Sequence, residues 1–143
     1  MWQFKHSVEC SISVEFAWQF WTDVNNWAVV DPAVEWVSLN GAFATGSQGT
    51  TKPRGAQPTN WTLVEVQDSS KAVIEIAVSG AALTFHWKFE ATNNGGTKLT
   101  QEVHLSGERA EDYLEAVKWL EQDIPAGMHK LVEGIIKVAT SMT

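Results

Sequence analysis

Residues 2–10 alternate strictly between apolar and polar positions. Trp2, Phe4, His6, Val8 and Cys10 share one face, and Gln3, Lys5, Ser7 and Glu9 share the other. A period of two marks a half-buried strand. From Ser13 the period lengthens: Ala17, Trp18, Trp21 and Val24 recur at helical spacing. Ser13 stands at the N-cap and Glu15 in the first turn, where the helix dipole favours an anion. This helix is predicted to end near Asn25-Asn26. A short second turn through Trp27 to Val30 should stop at Asp31-Pro32, because the residue before a proline is pushed out of the α region.

Beyond Pro32, strand-like segments over 34–39, 49–52, 60–67, 72–78 and 83–90 are separated by turn signals. The turn Thr92-Asn93-Asn94-Gly95-Gly96 and a last strand over 98–106 follow. Short connections predict an antiparallel meander. Leu83, Phe85, Trp87 and Phe89 share one face, and Thr84, His86, Lys88 and Glu90 the other. Leu99, Gln101, Val103 and Leu105 repeat the pattern against Thr100, Glu102, His104 and Ser106. One side of the sheet is therefore apolar and aromatic, and the other faces water.

From Glu108 onward Tyr113, Val117, Leu120, Ile124, Met128, Leu131 and Ile135 step by three or four residues, the stripe of an amphipathic helix. A single helix over 109–142 would run about 50 Å, too long for this chain. Pro125 offers the break, so a shorter helix is predicted before Asp123 and a longer one starting near Pro125. The order is α+β. An aromatic sheet face must be covered, and the last helix is the large apolar element left to cover it. A curved antiparallel sheet of about six to seven strands is expected to wrap around that helix.

With 143 residues, 44% hydrophobic and 19% charged, the chain fits one domain over 1–143 that needs neither disulfides nor a structural metal. Its net charge of −7 repels phosphate backbones and anionic surfaces, which argues against nucleic acid as a partner. No apolar run approaches a membrane span and the N-terminus has no apolar signal core. A cytoplasmic protein without membrane insertion, a monomer or weak homodimer, is the expectation. The anomaly is eight tryptophans beside six phenylalanines and one tyrosine. Such rings either fill a core or wall a pocket.

The opening strand, Ser13-Val14-Glu15-Phe16-Ala17-Trp18, Thr22-Asp23-Val24-Asn25-Asn26-Trp27, and Asp31-Pro32 leading into Val34–Leu39 and Gly41 together resemble the START-like helix-grip superfamily, SRPBCC. That superfamily includes polyketide cyclases and dehydrases, lipid-transfer domains, plant pollen allergens and chaperone-activating domains. The resemblance spans nearly the whole chain in element order. It implies a helix-grip fold with two short helices after the first strand, and a cavity between sheet and long helix that accepts hydrophobic or amphipathic molecules. It implies no particular reaction.

Trp61, Phe85 and Trp87 on the aromatic face, with Met128 on the long helix, are candidate ligand contacts, since ligand pockets are mostly apolar with a few orienting polar groups. Trp18, Phe20 and Trp21 lie around more than one side of the first helix, so at least one should be partly exposed near the cavity mouth, and Trp18 joins the candidates. Gln101 stands on an apolar face, where its amide can orient a ligand carbonyl or bond within the core. His6, also on an apolar face, is the best candidate for moving a proton, its unperturbed pKa being about 6.5. The bland reading of His6 is a satisfied core histidine. Arg54, in Thr51-Lys52-Pro53-Arg54-Gly55, can capture a carboxylate or phosphate head group.

No metal site is expected, because His6, His86, His104 and His129 lack ligand spacing and Cys10 stands alone. No cofactor is expected either: Gly41, Gly46 and Gly49 are too scattered to cradle a phosphate. The leading function is binding or transport of a small hydrophobic or amphipathic ligand, lipid or polyketide-like. The alternatives are a polyketide cyclase or dehydratase-like enzyme, and a chaperone-activating interaction module that uses an exposed patch around Trp18, Trp21 and Trp27.

Overall fold

The alternating N-terminal segment forms strand β1 (Trp2–Cys10), and its apolar face fixes how the chain closes. In the computed structural model, which describes residues 2–142, β1 pairs antiparallel with the last strand, β7 (Thr97–Ser106). Between them run β2 (Val34–Leu39), β3 (Gln48–Pro53), β4 (Thr59–Gln67), β5 (Lys71–Val78) and β6 (Ala81–Ala91). The seven strands form one antiparallel sheet in the order β1-β7-β6-β5-β4-β3-β2. The meander is as predicted, with each strand within about two residues of its expected ends.

Directly opposed residues share a face. His6, Gln101, Trp87 and Ala72 therefore form one row across β1, β7, β6 and β5, and Phe4, Val103, Phe85 and Ile74 form the next. Register shifts between Leu63 and Glu65 on β4 and between Val34 and Trp36 on β2 bend these strands locally.

Helix α1 (Val14–Thr22) starts as expected, with Ser13 Oγ accepting from the Phe16 N–H at 3.3 Å. Helix α2 (Asn25–Val30) follows after Asp23, whose carboxylate accepts from the Asn25 N–H. It ends at Asp31, which turns the chain by accepting from the Ala33 N–H at 2.9 Å.

The C-terminal region departs from expectation. A 3₁₀ turn (Ala110–Tyr113) and a one-turn helix, α3 (Leu114–Val117), lead into α4, which runs unbroken over Leu120–Ser141. Pro125 is inside α4, not at its start. It occupies the second turn, where the missing N–H leaves only the Glu121 carbonyl without its intrahelical partner. The apolar stripe of Leu120, Ile124, Met128, Leu131 and Ile135 keeps the helix continuous through it, because all five side chains are buried on its inward side.

Helix α4 packs on β1, α1 and α2, inside the curve of the sheet. At Gly134 it meets Val30 of α2 so closely that a Cβ there would overlap the valine side chain. The fully buried core comprises Leu63, Leu99, Val103 and Leu105 from the sheet and Met128 and Ile135 from α4.

Candidate ligand-binding site

The inner face of the sheet is not filled along its whole length. Toward the β4–β6 end, α3, α4 and the α1–α2 pair stand off it and leave a cavity of about 510 Å³. This lies within the range of pockets that take small organic ligands. The floor is Ile74 and Ile76 of β5 with Leu83, Phe85 and Trp87 of β6, and the roof is Leu120, Ile124, Met128 and Leu131 of α4.

One wall is a continuous band of indoles. Trp87 lies 4.9 Å from Trp21 between ring centroids, Trp21 stacks on Trp27 at 5.8 Å and 23°, and Trp27 stacks on Trp61 at 5.4 Å and 25°. All four line the cavity. Two are fixed by their own N–H groups. Trp27 Nε1 donates to the Trp21 carbonyl at 2.7 Å, which ties α2 to α1, and Trp61 Nε1 donates to Thr51 Oγ1 at 2.9 Å. A fifth, Trp119, stands at the mouth and is 56% exposed.

The polar groups are few and separated. Gln101, only 6% exposed, faces the cavity from β7. Among the described residues its side-chain amide makes no hydrogen bond, and its polar atoms open on the cavity instead of being sealed in the core. Asp31 and Asp123 stand at the mouth, and Asp31 also lies 3.7 Å from Lys130 Nζ.

The structure thus brings Trp61, Phe85, Trp87, Gln101 and Met128 around one space. It does not bring Trp18, His6 or Arg54 there. Trp18 is 4% exposed, packs edge-on against Phe43 and Phe89, and donates Nε1 to Asp68 Oδ1 at 2.9 Å. Trp21 is 3% exposed and Phe20 is also buried, so no aromatic of α1 is exposed at the mouth as expected. The reason is that α1 is enclosed by β6 on one side and α4 on another. The exposed patch around Trp18, Trp21 and Trp27 that a chaperone-activating module would use is not there either, since Trp18 and Trp21 are buried and Trp21 and Trp27 line the cavity. His6, half-buried beside Gln101 in the same row, lies outside the lining. The exposed Arg54 donates Nε to the Pro32 carbonyl at 3.0 Å and braces the loop after α2.

Trp119, Asp31 and Asp123 at the mouth were missed. The only signal was Trp119, an indole on a polar side of the C-terminal stripe. Among the described residues no group of His, Cys, Asp and Glu is placed to hold a metal, and no helix is long and apolar enough to cross a membrane.

On the outer face, a depression of about 390 Å³ is lined by Ser38, Thr50, Asn60, Thr62 and Glu75. Thr50 and Asn60 hydrogen-bond each other there. Further along that face His86 and His104 lie 4.9 Å apart between ring centroids. Burial, and then the neighbouring His104, hold His86 below its ordinary pKa of 6.5. Next to them Glu65 is held low by its ion pair with Lys71 at 3.1 Å.

A cavity enclosed between a curved sheet and its long helix is the architecture that the opening motifs resembled. The family model described as polyketide cyclase/dehydrase and lipid transport matches residues 1–135. The chain belongs to this family. Members share a fold suited to hydrophobic ligands rather than one reaction.

Among solved structures, norcoclaurine synthase from Thalictrum flavum is similar at 10% identity, over 96% of this chain and 92% of that one, with a TM-score of 0.73. The Zhui aromatase/cyclase from Streptomyces sp. R1128 is similar at 13% identity, over 95% and 94%, with a TM-score of 0.74. A protein from Nitrosomonas europaea matches at 16% identity over 96% of each chain, with a TM-score of 0.71. These likenesses establish the helix-grip fold and no more. No curated protein matches the sequence.

Proposed function

We propose that this protein binds and carries a small hydrophobic or amphipathic molecule in the cavity between its sheet and α4. The observation that supports this most directly is Gln101, an amide in an apolar cavity with no protein partner among the described residues. A ligand hydroxyl or carbonyl would satisfy it, and the indole band would cover the rest of the molecule. At about 25 cal/mol per Å², burying about 250 Å² of apolar ligand surface contributes about 6 kcal/mol before ordering costs are subtracted. Trp61, Phe85, Trp87 and Met128 would supply that surface, Gln101 the orientation. Trp18 would act behind them, as support for Trp21, whose ring centroid lies 5.7 Å away.

The cyclase or dehydratase reading rested on His6, which has no place in the lining, so carriage is the reading the geometry favours. The test is native mass spectrometry of gently purified protein, with tryptophan fluorescence titrations against fatty acids, aromatic polyketide-like compounds and aromatic amines. A co-purifying or added ligand with one-to-one stoichiometry and a change in indole emission is expected. No adduct and no emission change across all three classes would overturn the proposal.

A further inference from the structure

Among the described residues the ionisable side chains lining the cavity are Asp31 and Asp123, and no lysine, arginine or histidine lines it. Arg54 is not in the lining and its Nε is engaged by the Pro32 carbonyl, and the other cation nearby, Lys130, is engaged by Asp31 at 3.7 Å. An anionic head group would therefore meet carboxylates without a cation in the lining, on a chain whose net charge is −7.

The two carboxylates are not equivalent. Asp31 accepts from the Ala33 N–H and lies 3.7 Å from Lys130, so its charge is already engaged. Asp123, in the first turn of α4, has no side-chain hydrogen bond or ion pair among the described residues. Trp119 stands four residues before it and is also at the mouth, with its ring 56% exposed. A carboxylate beside an open indole attracts a cation twice over, by charge and through the ring quadrupole. From β7 Gln101 independently calls for a ligand: the residue is only 6% exposed, and its amide faces the cavity without a protein partner among the described residues.

We infer that the ligand class is an aromatic amine. Its ring system lies along the band from Trp87 to Trp61, a hydroxyl or carbonyl meets Gln101, and its ammonium sits at the mouth against Asp123 and Trp119. This rests on the carrier reading above and narrows it from hydrophobic molecules at large to cationic ones.

The experiment is isothermal titration of the full chain with three ligands that share one ring system: 1-naphthylethylamine, 1-naphthylethanol and 1-naphthylacetate. The amine should bind at least about tenfold more tightly than the carboxylate, with the alcohol between, and added salt should narrow the gap. Asp123→Asn should reduce the amine's advantage about threefold or more, and Asp123→Lys should reverse the order. Asp123 is exposed but lies in the first turn of α4, where the helix dipole favours its charge, so both variants should fold with a slightly lowered melting temperature, Asp123→Lys more than Asp123→Asn. Equal affinities for the three ligands would overturn the amine assignment and leave the carrier reading intact. An amine preference that survives Asp123→Lys would overturn the assignment of the ammonium to Asp123. Binding by none of the three, with long-chain fatty acids binding, would also overturn the amine class, whereas no binding of any kind would remove the carrier reading itself.

Discussion

Gly49 on β3 lies directly opposite Trp61 on β4, and a Cβ at Gly49 would overlap the six-membered ring of that tryptophan. The indole therefore uses the space that a side chain on β3 would take, and its N–H reaches Thr51 two residues along the same strand. Gly49→Ala should push Trp61 off this seat and into the cavity. Overpacking of this kind costs about 1–3 kcal/mol. Urea unfolding should show that loss, together with weaker binding of whatever ligand fluorescence detects. Unchanged stability and affinity would mean that Trp61 has room the structure does not show.

Gln101 sets stability against binding. Replacing it by leucine removes an amide that opens on the cavity without a protein partner and keeps the volume, so the ligand-free protein should be at least as stable as the parent. The same change should weaken a ligand that carries a hydroxyl or carbonyl about tenfold, and leave an all-hydrocarbon analogue nearly unaffected. Denaturant unfolding and calorimetric titration measure the two halves separately. A loss of stability in Gln101→Leu would show that the amide is already satisfied.

Much of the fold was legible because the strands carry a clean period of two between strong turn signals, as in Leu83–Glu90 and the Asn93–Gly96 hairpin. The first helix was legible from its cap. The cavity was legible only as a set of rings. Trp18 and Trp21 are one turn apart on α1, yet one is locked behind the wall by Asp68, fifty residues away, and the other forms the wall. Periodicity along one helix cannot distinguish them, since the difference lies in what packs on each side. Asp31 and Asp123 border the same cavity only because α4 returns across α2, a long-range contact with no local trace in the sequence.

Pro125 misled the reading of the last helix because a proline is a good first residue and a poor interior one. In the structure it is interior, where the penalty relative to alanine reaches about 3 kcal/mol. Pro125→Ala should therefore raise stability. The gain should be nearer 1–2 kcal/mol, about half the full penalty, because alanine also frees the unfolded chain. Differential scanning calorimetry would register it as a higher melting temperature. A lower one would place the helix start at Pro125, as the sequence first suggested.

The outer face carries a pH dependence of its own. His86 is held below 6.5 by burial first and by His104 second, against the opposing pull of Glu102 and Glu65. Below pH 6.5 the unfolded chain therefore binds a proton at residue 86 more readily than the folded protein does. Stability contributed by neutral His86 is complete above 6.5 and is lost as the pH falls through the folded value. Because the ring is partly exposed, solvent screening keeps this loss small. Chemical-shift titration should place the His86 midpoint below 6.5, and His104→Asn should raise it without restoring it fully, burial being the larger cause. Across the same range His86→Asn should lose less stability on acidification than the parent. Parallel stability curves for the two proteins, or a midpoint unmoved by His104→Asn, would show that the histidine pair is uncoupled.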